Sequence, residues 1–597
     1  MSRPQLSIDS LPAWAHLNEV SFFDVHVAST DGSGLGLVAL RELATTEQTF
    51  DIPALLRIPH YVVLNAAAVE EYAKQDRDFR LLIDAAGHQV NINPLSFIKA
   101  DLIISADLLY KSSRGDILIF LLVHLILGTQ PDATAAGLPG PWTEYIKFLP
   151  DQVPLPTVWT EDERLLLQGT SLEHAVQAKL LILEQEFDRL RETSSDIPCW
   201  QARLWDTRAA QLKDWRLVDA WYRSRCLELP LSGEAMVPCL DMANHSSTPN
   251  AYYEEKSQGE VTLLLRPSQS VRSGDEITIS YGEQKSAAEM LFSYGFIDRD
   301  SVSRSLVLPL DPFDDDPLAK AKTHLFGEKP TVRVAIVGGD LRWESPFAYL
   351  MCVNEEDGLA FRVLQDTDGN RQLKLFWQHE DVTNSARSFD KLTKAHRLSA
   401  LFELRVVTVV EELLGSQLAR LQVQGAAPLS SVDPDASQGA TGSIREECHR
   451  QAALLRELEA GILSRALEEL EEQVSDNACL PVASALIGPT PQGANGSLFF
   501  LSPPHIIFPG LPRRLISTNM ECACVDVCGC GGLARRRRKQ QVQMTFADST
   551  SLTYDLRLSQ KSQLLADDNV VAYLGSMEAT ESGLAPEGAS NEDDDFS

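Results

Sequence analysis

The chain has 597 residues, room for roughly three or four domains, and a hydrophobic fraction of 44% with nine Trp supplies sizeable cores. Lys and Arg number 53 against 84 Asp and Glu, and the net charge of −31 argues against a general nucleic-acid binder, because neutralising phosphates needs a basic face. It suits a basic partner, such as a Lys-rich protein segment. No window approaches the roughly 18 apolar residues of a membrane span. The nearest, Ile117–Gly128, is short and contains His124, so it reads as a buried helix. No basic region precedes an apolar core at the N-terminus, so no secretory signal is expected. The ten Cys, mostly scattered, read as reduced thiols, and the expected compartment is cytosol or nucleus.

Residues 1–19 read as a loose lead-in. Asp31-Gly-Ser-Gly-Leu-Gly-Leu-Val-Ala-Leu40 sets three glycines ahead of a short apolar strand, the pattern of a tight hairpin turn and not a dinucleotide fingerprint. Leu55–Asn65 reads as a short strand with a proline at its edge. From Ala100 to Arg223 the pattern is mostly helical, which suggests an insert within a β-rich domain. Asp116–Leu127 is nearly all apolar, Thr160 and Glu163 form a capping box, and Leu172, Ala175, Ala178, Leu180 and Leu183 recur at helical spacing. Trp200, Trp205, Trp215 and Trp221 are expected in the core.

Pro238–Ser246 brings a polar Asn244-His245 pair after a short apolar approach. A Gly274-Asp275 turn then feeds an alternating strand, Ile277, Ile279, Tyr281, which breaks at Gly282. After Asp298 the sequence suggests a strand around Ser305–Leu310, then a loop and a helix over Asp311–Lys322. Phe347–Phe361 and Leu373–Val407 carry helical patterning. Gly425–Ser443 has the composition of a flexible loop. Ile444–Val474 is an amphipathic helix with Leu455, Leu458, Ile462, Ala466, Leu470 and Val474 on one face. Farther on, Cys522-x-Cys-x-x-x-Cys-x-Cys530 offers four thiols, enough for tetrahedral zinc, but at an unusual spacing, and no metal is assigned. The basic run Arg535–Lys539 reads as an import signal, a nucleic-acid contact or plain solvated tail.

In order along the chain, Gly34-Leu-Gly-Leu-Val-Ala39, Ser224-Arg225, Asp241-Met-Ala-Asn-His245, Gly274-Asp-Glu-Ile277 with Tyr281, and Tyr294-Gly-Phe296 resemble SET-domain protein methyltransferases of the Rubisco-methyltransferase type. Pro141–Pro150 and Gly169–Leu172 look like that family's helical insert. The resemblance implies an α+β fold: a β-rich SET domain over 20–300, with a pseudoknot and a helical insert at about 100–223. A mostly helical substrate-binding lobe would follow over 301–475, and then a poorly defined, largely disordered tail over 476–597.

The same resemblance implies S-adenosylmethionine as methyl donor and a lysine of a non-histone protein as acceptor. Ribosomal or translation proteins are the expected targets by family analogy. A monomer is expected, with neither nucleic acid nor membrane as partner. Tyr281 would be the catalytic tyrosine beside the transferring methyl. Gly34, Leu35, Gly36, Leu37, Arg225, Asn244, His245 and Tyr281 would bind the cofactor, Arg225 through its carboxylate. Ser224, Asp241, Tyr294 and Phe296 would shape the lysine end. The thiol-rich closure of histone-type enzymes has no counterpart here, since no Cys lies between Cys239 and Cys352. The helical lobe is expected to close the channel instead.

The reaction so implied is an in-line displacement by a neutral amine. Free lysine titrates near about 10.4, so neutrality at pH 7 costs about 4.6 kcal/mol at about 1.36 kcal/mol per unit. A neighbouring sulfonium and a dry aromatic channel both disfavour ammonium. Alignment and dipole placement would supply most of the catalysis. Two alternatives stay open: protein-histidine methylation within the same family, and a catalytically silent module that binds basic segments through the same groove.

Overall fold

Glycine turns and apolar alternation set the strands in the computed structural model, which describes residues 5–30, 34–46, 52–86, 113–129, 138–206, 208–300, 304–365, 371–425 and 444–479. Val25–Thr30 (β1) and Gly34–Ala39 (β2) form an antiparallel hairpin, with Val25 opposite Ala39 and Thr30 opposite Gly34. Asn244–His245 (β3) and Glu276–Ile279 (β4) come from much later in the chain, and the sheet order is β1-β2-β4-β3. β4 runs antiparallel to β2 and parallel to β3. Ile277 and Ile279 are buried, as their alternation predicts. Gly274, at φ 88°, makes the turn into β4, and its N–H donates to the Ala39 carbonyl at 2.8 Å. A second sheet joins Ser21–Phe22, Ala54–Ile58, Val261–Leu265 and Ala251–Glu255; a third joins Leu64–Asn65, Gly233–Met236 and Cys226–Leu229.

Between these strands the described chain is largely helical. Ser113–Leu127 (α1) is buried along nearly its whole length, as its apolar run requires. It packs on Leu212–Arg225 (α3), which also meets Leu172–Ser194 (α2). Their junction buries a set of charges. Arg114 forks onto Glu186 at 2.7 and 3.1 Å and reaches Asp219 at 2.7 Å, where Lys179 (3.0 Å) and Arg223 (2.8 Å) also converge. Buried charge is tolerated there because each group has a partner. Trp200, Trp215 and Trp221 are buried, and their indole N–H groups donate to the Asp78 carbonyl, Glu186 and the Pro150 carbonyl. Trp205 is half-buried and donates to Ser194.

Ala287–Tyr294 (α4), Ser399–Gly425 (α5) and Glu446–Cys479 (α6) follow. On α6, Leu455, Ile462, Ala466 and Leu470 are buried, the face that the sequence marks. The start of α6 grips the insert. Arg445 forks onto Glu163 at 2.7 and 2.8 Å, Arg456 donates to the Leu166 and Gln168 carbonyls, each at 2.9 Å, and Glu459 accepts from the N–H and hydroxyl of Ser171. Glu163 also completes the expected capping box with Thr160.

The stretch 301–475 carries strands beside the helices expected of it. Leu359–Phe361 and Leu373–Trp377, where the sequence suggests helix, lie in the paired antiparallel strands Leu359–Gln365 and Arg371–Trp377. Period-two burial explains this: Leu359, Phe361, Leu373, Leu375 and Trp377 are buried, while the residues between them stay partly exposed. Arg304–Pro309, Thr331–Val337 and Asp340–Glu344 form a further antiparallel sheet. The chain divides into two compact units. The first takes Met1–Leu310, Gly327–Ala348 and Arg397–Ala478, so α5 and α6 belong with β1–β4; the second takes Asp311–Phe326 and Tyr349–His396, with the Leu359–Trp377 strands. Residues 426–443 and 480–597, with Cys522–Cys530 and Arg535–Lys539, lie outside the described residues. Among the described residues no helix is long and apolar enough to cross a membrane, and no His, Cys, Asp and Glu group could hold a metal.

Burial alone would raise the Glu163 carboxyl, but hydrogen bonds from Arg445 and the Thr160 N–H outweigh it and hold it down to about 2. A depressed carboxylate contributes stability that is present above its unfolded value, 4.5, and is lost as pH falls through about 2. Glu163→Gln is expected to lower unfolding stability at neutral pH by about 1–3 kcal/mol. In denaturant titrations it should also shrink the loss that the wild-type chain shows between pH 4.5 and 2.

Candidate active site

The site begins with a tight turn. Cys239 takes φ 69° and ψ −35°, and Leu240–Met242 then makes a single 3-10 turn into β3. The Ala243 carbonyl that emerges accepts the Tyr281 hydroxyl at 2.8 Å, and the Tyr281 N–H donates to His245 Nδ1 at 3.0 Å. Because Nδ1 accepts, the ring proton of His245 sits on Nε2, which faces Asp298 Oδ2 at 3.4 Å. Burial lowers the His245 imidazole, with Asp298 opposing, so the ring is neutral at neutral pH. Burial also pushes the Tyr281 phenol up to about 12, against the pull of Arg225. Tyr281 is therefore a protonated donor at neutral pH and not a base.

The aromatic residues converge as the sequence suggests. Tyr294 closes α4, whose first turn is fixed by a Ser286–Glu289 capping box. Gly295 follows at φ 85°, and a Cβ there would lie 2.8 Å from the Pro154 carbonyl oxygen. Only glycine makes this turn, which delivers Phe296 beside Tyr294. Ring centroids stand 4.5 Å apart for Tyr281–Tyr294, 6.4 Å for Tyr281–Phe296 and 6.5 Å for Tyr294–Phe296, with His245 5.3 Å from Tyr281. The Tyr294 hydroxyl donates to the Tyr281 carbonyl at 3.3 Å. The Lys285 ammonium stands 5.8 Å from the Tyr294 centroid, so this wall already faces one cation of the chain.

The polar end differs in detail from the expectation. Asn244 Nδ2 donates to the Leu35 carbonyl at 3.1 Å and to Glu276 at 2.6 Å. Gly36 makes room for those side chains, since a Cβ would lie 2.3 Å from Glu276 Oε1, 2.8 Å from Thr30 Cγ2 and 2.9 Å from Asn244 Nδ2. Gly34, at φ 80°, has open space at its Cβ position, and Leu35 is exposed. Leu37 is wholly buried, so its side chain belongs to the core. Arg225 Nη1 donates to the Asp241 carbonyl at 3.0 Å and to Oδ2 at 3.1 Å, while its Nε and Nη2 make no hydrogen bond among the described residues. The other Asp241 oxygen accepts the Tyr145 hydroxyl. Ser224 donates to the Ala220 carbonyl of its own helix at 2.7 Å.

Two residues near the site carry no sequence assignment. Tyr145 lies within Pro141–Pro150, legible only as part of the insert. Tyr253 stands close enough to the ring wall to help push the Tyr294 phenol up, after burial and Tyr281. A separate cleft of about 420 Å³ on the insert, lined by Glu161, Leu165, Leu180 and Leu181 among others, shares no residue with this site.

Residues 34–282 match the family model described as SET domain. SET domain-containing protein 8 of Schizosaccharomyces pombe is 32% identical over 313 residues, covering 51% of this chain and 68% of that protein. The chain belongs to the SET-domain family. The chloroplastic ribulose-1,5 bisphosphate carboxylase/oxygenase large subunit N-methyltransferase of Pisum sativum is 27% identical over 201 residues, which span 31% of this chain and 40% of that protein. The solved structure of Rubisco LSMT bound to AdoMet aligns with a TM-score of 0.52 at 18% identity, over 79% of this chain and 93% of that one. That SET fold is shared well beyond the matched segment, which holds Asn244, His245 and Tyr281; Tyr294 and Phe296 follow directly after it.

Gly36→Ala is expected to force Asn244 and Glu276 apart and to lower stability by about 1–3 kcal/mol in thermal or denaturant unfolding. An unchanged melting midpoint would mean that the two side chains yield without cost.

Proposed function

We propose that the chain is an S-adenosylmethionine-dependent protein-lysine N-methyltransferase acting on a non-histone protein. The observation that carries this reading is the wall of Tyr281, Tyr294 and Phe296 standing beside a Tyr281 hydroxyl pinned to the Ala243 carbonyl. S-adenosylmethionine, when bound, supplies an electrophilic methyl on a positively charged sulfur. The residues present fit such a molecule: Arg225 keeps guanidinium N–H groups for a carboxylate, and the open Gly34-Leu35 backbone lies beside Asn244.

The chain's own residues then have defined tasks. The rings exclude water from the target amine and so favour its neutral form. Tyr281 offers its oxygen as an acceptor that orients the amine, and its raised phenol rules it out as the proton acceptor. Among the described residues no strong base adjoins it, so alignment carries most of the rate. The net charge of −31 favours a basic acceptor protein, and ribosomal or translation proteins are the proposed targets. We place the protein in cytosol or nucleus, as a monomer.

Incubating the protein with labelled S-adenosylmethionine and cell extract, then mapping the label by mass spectrometry, tests the reading. Labelled lysine is expected, reduced by about a hundredfold or more in Tyr281→Phe. Label on histidine, or cofactor binding without any label, contradicts it. In single turnovers the rate should rise with pH from about 6 to 8, as the amine loses its proton. A rate that falls over that range would contradict an amine nucleophile.

A further inference from the structure

The turn that carries the site is held in place by a residue outside the SET motifs. Cys239 sits at φ 69° although it is not glycine, a conformation that persists only where the surroundings over-determine it. Tyr145, the last residue of the insert helix Pro141–Tyr145, accepts the Cys239 N–H at 2.7 Å and donates its hydroxyl to Asp241 Oδ1 at 2.5 Å. From another side, Arg225 Nη1 bonds both the carbonyl and Oδ2 of the same Asp241. Asp241 thereby ties the turn to the insert and to the end of α3 at once. Beyond it, the Ala243 carbonyl receives the Tyr281 hydroxyl at 2.8 Å.

Tyr145 is itself immobilised. Its ring is wholly buried, with centroids 4.7 Å from Trp14 and 5.2 Å from Trp142. Those two indoles are in turn pinned to backbone, Trp14 on the Pro141 carbonyl at 3.0 Å and Trp142 on the Val62 carbonyl at 2.9 Å. The phenol is a fixed point against which the turn is registered. Both partners of its hydroxyl lie in that turn, so any effect on the reacting groups passes through it.

We infer that Tyr145 is a positioning residue for methyl transfer, acting through Asp241 and the Ala243 carbonyl to set the Tyr281 hydroxyl. The inference rests on the methyltransferase reading above. A core tyrosine that served stability alone would lower the melting midpoint and leave turnover by the folded protein intact. A positioning tyrosine lowers turnover in protein that is still folded, because a small misplacement of the aligning group is felt mainly in the transition state.

The test uses the full chain, S-adenosylmethionine and, as acceptor, the purified extract protein that the wild type labels. Wild type, Tyr145→Phe, Asp241→Asn and the double variant are each assayed below their own melting midpoints. Tyr145→Phe is expected to lower kcat roughly tenfold to a hundredfold with little change in acceptor KM. The double variant should fall no further than Asp241→Asn alone, since the two residues act as one unit. Wild-type kcat in Tyr145→Phe, or losses that multiply in the double variant, would overturn the inference. Should Tyr145→Phe not fold, Asp241→Asn decides the matter: it keeps side-chain volume and an acceptor, so reduced kcat at unchanged acceptor KM supports the clamp and wild-type kcat overturns it. A wild-type chain that labels nothing overturns the methyltransferase reading itself, so the two failures are told apart.

Discussion

The site depends on one short parallel pairing, Thr278 beside Asn244 and Ile279 beside His245. Two paired residues cannot hold a strand by themselves, and side chains complete the job. Asn250 donates to the Glu276 carbonyl at 2.8 Å and accepts the Thr278 N–H at 2.9 Å. Asn244 bridges to the Leu35 carbonyl and Glu276, and the Ser246 N–H donates to the Ile279 carbonyl. These bonds join an N-terminal glycine strand to a turn 209 positions later and to a strand 32 positions beyond that. Without them Tyr281 would have no fixed relation to Ala243 or His245.

The helical insert is part of the same construction. Arg223 leaves its buried charge cluster to donate to the Phe292 carbonyl at 2.6 Å, with its guanidinium over the Phe292 ring at 4.7 Å. That contact fastens α3 to the helix that ends in Tyr294. The same end of α3 supplies Arg225 to Asp241, so one helix terminus braces both the aromatic wall and the polar turn. α6 in turn anchors the insert through Arg445, Arg456 and Glu459, and its Gln451 accepts the Ile297 N–H at 3.0 Å, immediately after Phe296.

Much of this was legible in the sequence where chemistry or geometry dictates residue identity. Gly274 announces a turn that few other residues make, the alternation of Ile277 and Ile279 gives the strand, and Thr160 with Glu163 gives a helix start. Tyr281, Tyr294, Phe296, Asn244 and His245 could be singled out because their order and spacing match a family pattern. What stayed hidden is tertiary. No local pattern says that β3 pairs parallel with β4, or that Arg225 spends one guanidinium nitrogen on Asp241. Tyr145 is legible only as part of the insert, since its partners lie 94 and 96 positions away. Leu359–Phe361 and Leu373–Trp377 read as helix and lie in strands, because their apolar residues are dense enough to satisfy either period.

The most direct measurement is a crystal structure of the full chain with S-adenosylhomocysteine and a peptide cut around the labelled acceptor residue. A lysine side chain ending among Tyr281, Tyr294 and Phe296, its nitrogen pointing at the cofactor sulfur past the Tyr281 hydroxyl, is the predicted result. A cofactor bound away from Asn244 and Arg225, or a peptide whose side chain never reaches those rings, would contradict it.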